Sequence, residues 1–491
     1  MNDITGVGNR LLEQHTELLS KTVYKDELDL FFDHEYLFSI GDLCHLLSLA
    51  KANIFRKNQI IKPIHYLQKE INNKPDFSEE YNGENGDFFS NRLKRLRKES
   101  ELGSLADLIN CGRPRRESTN ISFILLLKEE LILLVTQINK LIKIICCKSK
   151  ESINIYLSDF TYWHSTQPTS FGHFLSNYLG GIERQLKLLV SIFDILDSSP
   201  AGAGSTNGTM LNLDRKYHAQ LLGFSGLIEH TKDATWAGDT FCSVGNWICL
   251  FSGMLCKLAE DLLILSNEGF KVIQCADRHS RISVIMPQKK NPYQLTICRG
   301  HLLEISAKAN IYLSSLSKSS GYPDSRHIFY KDLPKDISRL RDNIKMLGEV
   351  IALIEINEKE SSKLANNKNI YAADIAQQLV IDYEISDREA HSLLSKAITN
   401  LEFDREHLDI NSINNILKSK GHTPLDESIF NKLTSPKYIL SRRNEIGSAN
   451  PKNTINYLEK ICKSCENYFG NIIDKKTNLS YLNSEINNFL T

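Results

Sequence analysis

The chain has 491 residues, of which 59 are Lys or Arg and 59 are Asp or Glu, so its formal net charge is zero. A dedicated nucleic-acid binder usually carries a basic excess, and this balance argues against one. The length exceeds a single compact core and implies several domains or one large helical assembly, with the 41% hydrophobic and 24% charged fractions of an ordinary globular protein.

The opening stretch MNDITGVGNRLLEQ is polar and has no secretory pattern, which points to a cytoplasmic protein. The 11 cysteines are then expected to be reduced thiols. Residues 73–87 (NKPDFSEEYNGENGD) are rich in turn formers and read as a loop. In NCGRPRRES (110–118), Gly112 and Pro114 stop a helix from running through. The most apolar segment follows at 121–147, where Phe123, Leu127, Leu134, Ile138, Leu141 and Ile145 recur at helical spacing. Lys128, Glu129, Glu130 and Lys140 interrupt it, and their charges would be costly in a bilayer, so it reads as a core helix and not a membrane span.

Helical periods continue at 171–196, 240–266, 292–318 and 333–356, while residues 198–209 (SSPAGAGSTNGT) form a glycine-rich loop and 359–372 break the helices again. In 240–266, Val244, Trp247, Ile248, Phe251, Leu255, Leu258, Leu262 and Leu265 make one wide apolar stripe. Five helices this long exceed the usual 11 or 12 residues or so and suit a long bundle, so the chain is mainly α. Cys462 and Cys465 form a lone CxxC with no second pair at zinc spacing, which reads as two cysteines on a terminal helix and gives no metal site.

Three polar loops flank the apolar helices: Gly112-Arg113-Pro114-Arg115-Arg116-Glu117, the run Phe160 to Pro168 (FTYWHSTQP), and Ser283 to Asn291 within SVIMPQKKNP. They supply cations, hydroxyls and amides, the groups that carboxylates require. By composition alone, Arg113 to Arg116 read more readily as a solvated surface patch.

The motifs in these loops carry a resemblance. MPQKKNP (286–292) resembles the signature loop GSSxMPxKxNP of the fumarase/aspartase superfamily, in the spelling found in argininosuccinate lyases. GRPRRE (112–117) stands for GRSRND, FTYWHSTQPTSFGH (160–173) for YTHxQxAQPxxxGH, and SPAGAGSTNGT for SPLGSGALAGT. Asp214-Arg215, Leu222-Gly223-Phe224, MLCKLAED (254–261), ADIAQQLV (373–380) and Arg388-Glu389-Ala390-His391 follow in family order along nearly the whole chain.

The resemblance implies a three-domain, mainly α subunit, with residues 1–111 as an N-terminal helical domain, 112–358 as the central long-helix bundle and 359–491 as a C-terminal helical domain. Four subunits would pack a 20-helix core, with each active site drawing loops from three of them. It implies reversible β-elimination of fumarate from an N-substituted aspartate, argininosuccinate first, in arginine biosynthesis. It implies no metal or organic cofactor, and no nucleic-acid or membrane partner. By alignment Ser283 is the catalytic base, and Thr161, Lys289, Asn291, Arg113, Arg115, Asn91 and Gln167 bind substrate.

The departures are equally specific. The histidine after the family's threonine is Tyr162, and its charge-pairing glutamate is Thr296. Losing one member would strand a buried charge; losing both leaves a neutral pair able to hydrogen-bond, with Tyr162 as a replacement acid or a mere space filler. Ile282 and Val284 replace the loop's glycine and second serine, which stiffens it. Arg116 replaces an asparagine and adds a cation to the pocket. FSIGDLCH (38–45) keeps only Gly41 and His45 of its segment, and FYKDLPKDI (329–337) is poorly kept. Three readings therefore stand: an argininosuccinate lyase, a related lyase on another amino-acid–succinate adduct, and a non-catalytic structural homologue.

Overall fold

A computed structural model describes residues 13, 15–319, 321, 324–399 and 408–490. The polar opening stretch lies almost wholly outside the described residues. The chain is mainly α, as the periodicities imply. Helices Arg115–Glu151, Phe171–Leu196 and Asp239–Leu265 fall where the apolar stripes place them. In the last of these, all eight stripe residues from Val244 to Leu265 are buried. Ser170 starts the second helix by accepting the His173 backbone N–H at 3.1 Å, which satisfies one of the donors a helix start leaves orphaned.

Three expectations are corrected. The run 292–318 is two helices, Tyr293–Ala307 and Ala309–Ser314, broken at Lys308. The helix expected from 333 begins at Asp324 and runs to Leu353 with Pro334 inside it. Residues 359–372 interrupt the helices only in their second half: Glu358–Ala365 is a short helix, its first turn capped by the Asn357 side chain accepting the Glu360 N–H at 3.2 Å, and the break falls at 366–371.

Lys128, which argued against a membrane span, is fully buried and ion-paired with Asp197. No helix among the described residues is long and apolar enough to cross a membrane. One continuous core gathers side chains from Leu37 to Ile354 and again from Leu458 to Ile486. A second core, Ile370 to Ile439, stands apart from it. Helices Pro451–Ile473 and Ser480–Leu490 thus return to pack on the bundle. That return also corrects the cysteine expectation: Cys146 on helix 115–151 and Cys462 on helix 451–473 are joined as a disulfide, while Cys465 stays free and buried. A separation of 316 positions hides this pairing from the sequence.

The strands are short pairs. The longest is the antiparallel hairpin Tyr156–Thr161 with His164–Ser170, its register shifted between Ser158 and Phe160. It follows directly on helix 115–151 and carries the second polar loop.

Candidate active site

The arginine loop sits where helix Arg115–Glu151 begins. Arg113 is buried there, with its guanidinium bonded to the Asp42 carboxylate and, at 2.8 Å, to Asn110 Oδ1. Asp42 also holds Arg92 at 2.7 Å, and Arg92 pairs with Glu35. Arg95 bridges Glu35 and Glu70 at 2.6 Å each. Three buried arginines and three buried carboxylates therefore lock the N-terminal helices to the bundle, and Arg113 is one of their members. Its Nε and Nη1 have no hydrogen-bond partner among the described residues. Beside it, burial pushes His45 down to about 3 and His218 well below its ordinary range, so both imidazoles are neutral.

Arg115 and Arg116 lie on the open side. Arg115 pairs with Asp87 and reaches Ser90 Oγ at 3.2 Å. The Arg116 guanidinium lies 4.0 Å from the Trp236 ring centroid. Both line a 610 Å³ cavity shared with Glu27, Arg326 and Tyr330. Asn91, expected at the site, is buried. Its Nδ2 donates to the carbonyls of Asn82, Gly86 and Asp87 at 3.0, 2.9 and 3.1 Å, and its Oδ1 accepts the Asn82 N–H at 3.1 Å. It holds the loop that carries Asp87. Glu117 does the same for the glycine-rich loop, accepting the N–H groups of Gly202 and Gly204 at 2.8 Å each. Both glycines have positive φ, and a side chain at Gly202 would strike Arg215.

The hairpin tip carries Thr161, Tyr162 and Trp163. Thr161 pairs with His164 across a two-residue turn, with Tyr162 at φ 52° and Trp163 at φ 61°. Hairpin turns of this kind need two left-handed residues and favour Asn-Gly; two aromatic residues there are strained, by about 1–2 kcal/mol each. Trp163 packs on Phe160 and Phe270, which leaves Tyr162 96% exposed. Gln167 and Thr161 are also exposed. His173, in the GH position, serves the scaffold, its Nε2–H donating to Gly447 O at 3.1 Å.

The third loop is a tight turn between Arg281–Ile282 and Lys290–Asn291. The Ser283 N–H donates to Lys289 O at 3.0 Å, and Ser283 Oγ accepts the Met286 N–H at 3.1 Å. Asn291 Nδ2 donates to Arg281 O at 3.1 Å, which closes the loop base. Lys290 is held by Asp277 at 2.6 Å, while Lys289 is exposed. Val284 is 97% exposed and Ile285 88%. Thr296 bonds back to Pro292 O at 3.2 Å, and among the described residues Tyr162 has no hydrogen-bond partner, so the two do not meet within one copy.

The three loops are not neighbours in the single chain. Helix Arg115–Glu151 has 37 residues and spans about 55 Å at 1.5 Å per residue. The arginines sit at its start and the hairpin beyond its end. The serine loop lies at the hairpin end too, because Ile273 pairs with Ile356 just past the end of helix Asp324–Leu353 and Gln294 bonds Met346 O. The start of that same helix, at Arg326, touches Asn120 beside the arginines.

The long-helix frame carries the three loops whose motifs resemble those of fumarase/aspartase-type lyases. A family model described as "Lyase" matches residues 47–306, over half of the chain, and the chain belongs to that family. It is 25% identical over 461 residues to the argininosuccinate lyase of Methanococcus maripaludis (strain C5), covering 93% of this chain and 95% of the relative. It is 26% identical over 418 residues to that of Bacillus cytotoxicus, covering 83% and 87%. In fold it matches a crystal structure of EDDS lyase in complex with formate, with a TM-score of 0.83 at 19% identity, covering 100% of this chain and 99% of that one.

Proposed function

We propose that the protein is a carbon–nitrogen lyase that eliminates fumarate from an N-substituted aspartate, with argininosuccinate, giving arginine and fumarate, as the first substrate to test. The observation that carries this reading is the setting of Ser283. Its Oγ already accepts a backbone N–H, and Lys289 is tied to it across the same turn. A serine hydroxyl is a poor base unless its alkoxide is stabilised; the Met286 N–H supplies part of that stabilisation, and the exposed Lys289 on the same turn is the cation proposed to supply the rest.

In this scheme Ser283 takes the proton beside the substrate carboxylate. Lys289 and Asn291, with Thr161 and Gln167, hold the doubly charged enolate-like carboxylate that results. Arg113, Arg115, Arg116 and Asn91 build the other side of the pocket. Tyr162 donates the proton to the departing nitrogen; an ordinary phenol suits a basic leaving group but transfers more slowly near neutrality than an imidazole.

The separation of the loops supports a site shared between copies. Leu133, Leu188, Leu250 and Leu303 are exposed on four of the long helices. Such apolar surface calls for a partner. A homotetramer with antiparallel bundles would cover it and bring the arginine end of one subunit to the hairpin and serine loop of others. A cytoplasmic role in amino-acid synthesis fits this reading.

A second reading is favoured by Tyr162, Thr296 and Arg116: a lyase of the same mechanism acting on a different amino-acid–succinate adduct. The test is fumarate release, followed by ultraviolet absorbance, from argininosuccinate and a panel of N-substituted aspartates, with Ser283→Ala beside the wild type. Release that vanishes in the variant supports the lyase, and the preferred adduct decides between the readings. No release from any adduct by an intact assembly would leave a non-catalytic homologue.

A further inference from the structure

The cavity at the arginine end holds more charge than its internal pairs use. Of its carboxylates, Asp87 pairs with Arg115 and Asp26 with Lys331 at 3.1 Å. Arg326 is spent on neutral oxygens, Asn120 Oδ1 and, at 3.2 Å, Ala237 O. Among the described residues Glu27 forms no ion pair, although the Arg115 charge reaches it, and neither Arg116 nor Arg326 pairs with a carboxylate, which leaves Arg116 the guanidinium with no hydrogen-bonded oxygen. Glu27 and Arg116 line the same 610 Å³ space, and neither bonds to the other.

Arg116 and Arg326 stand on the Trp236 ring at 4.0 and 5.8 Å from its centroid. Two like charges held together with no carboxylate between them repel each other and favour an incoming anion. The half-buried Glu27 lies against Phe88 and beside Asp87, where burial disfavours its charged form. An incoming cation would restore it.

We infer that this cavity recognises the zwitterionic head of the departing amino acid, with Arg116 taking its α-carboxylate and Glu27 its α-ammonium. The inference rests on the elimination proposed above, whose nitrogen product is an amino acid. It makes Glu27 and Arg116 specificity-determining residues. Arg116 suits a carboxylate because its planar fork can bond both oxygens. The side chain of the amino acid lies beyond this pair and is left to the rest of the cavity, which Val23, Leu30 and Phe31 line on its apolar side.

The test is a binding titration of the full-length protein with the standard L-amino acids, needing no turnover. The tightest binder is then compared with its carboxamide, which lacks the anionic end, and its N-acetyl derivative, which lacks the cationic end. Each is expected to bind roughly tenfold or more weaker, since each loses a charge-assisted contact. Arg116→Met should abolish the preference for acid over amide and leave the preference for free amine. Glu27→Gln should do the reverse.

The wild-type comparison stands alone if either variant fails to fold. No binding by any amino acid, equal binding of all three forms, or unchanged preferences in folded variants would overturn the inference. Binding with these preferences in a protein that releases no fumarate would sustain it while overturning the lyase reading. Fumarate release without them would do the opposite.

Discussion

Arg113 and Asp42 form a buried ion pair at the base of the arginine loop. The pair belongs to a network in which Arg92 and Arg95 share Glu35, Asp42 and Glu70. Removing one member of such a network leaves its partner charged in the interior, which typically costs about 3–5 kcal/mol. Asp42→Ala should therefore lower the denaturant midpoint sharply. Ser39, which donates to Glu70 at 2.7 Å, offers a milder control: Ser39→Ala should cost about 1 kcal/mol.

Glu117 places the glycine-rich loop through two charge-assisted bonds, at 2.8 Å each to the N–H groups of Gly202 and Gly204. Glu117→Ala strands both donors in the interior. It should cost on the order of 3 kcal/mol and accelerate amide exchange at residues 200–209 selectively, readable by hydrogen-exchange mass spectrometry.

Tyr162 should respond in opposite directions in two assays. Its left-handed backbone is strained, so Tyr162→Gly should stabilise the fold by about 1 kcal/mol while abolishing its proton transfer. Tyr162→Phe leaves the backbone alone. If the hydroxyl protonates the leaving nitrogen, kcat should fall by roughly 10²- to 10⁴-fold with little change in KM. Equal kcat in Tyr162→Phe and wild type would make the residue a space filler.

Glu27 should also mark the pH profile of stability. Burial, with the Asp87 charge beside it, pushes its carboxyl up to about 7 from an ordinary 4.5. The folded state thus holds a proton the unfolded state has lost. That contribution is fully present below pH 4.5 and is lost as pH rises through 7. Glu27→Gln, uncharged throughout, should raise the melting temperature at about pH 8 and leave it unchanged near pH 4. Asp87, Arg115, Asp26 and Lys331 face the same cavity and are present in both proteins, so the difference isolates Glu27.

The long helices were legible because burying a stripe on every turn leaves a period in the sequence, as from Val244 to Leu265. Their ends were less so. Lys308 breaks the run at 292–318 with no glycine or proline to announce it, and Pro334 sits within a helix the periodicity starts just before it. The three site loops could be located by their motifs, but not their separation by a helix of 37 residues.

Asp42 lies inside the quoted FSIGDLCH, yet nothing local says that it meets Arg113, 71 positions away. Glu27 sits in VYKDELDLFF with no motif at all. It emerges only when the chain folds and the other carboxylates of its cavity are found already paired. Cys146 and Cys462 are likewise joined by tertiary packing alone.

In the proposed assembly, one active site is built from loops at opposite ends of the bundle, supplied by different copies. Ser283→Ala and Arg116→Ala are each expected to disable one end, and the two are co-expressed under two affinity tags so that mixed assemblies can be isolated. Fumarate release by the mixed assemblies, from an adduct that the wild type turns over and neither parent does, is the predicted result. Mixed assemblies as inactive as both parents would contradict it and place the whole site within a single chain.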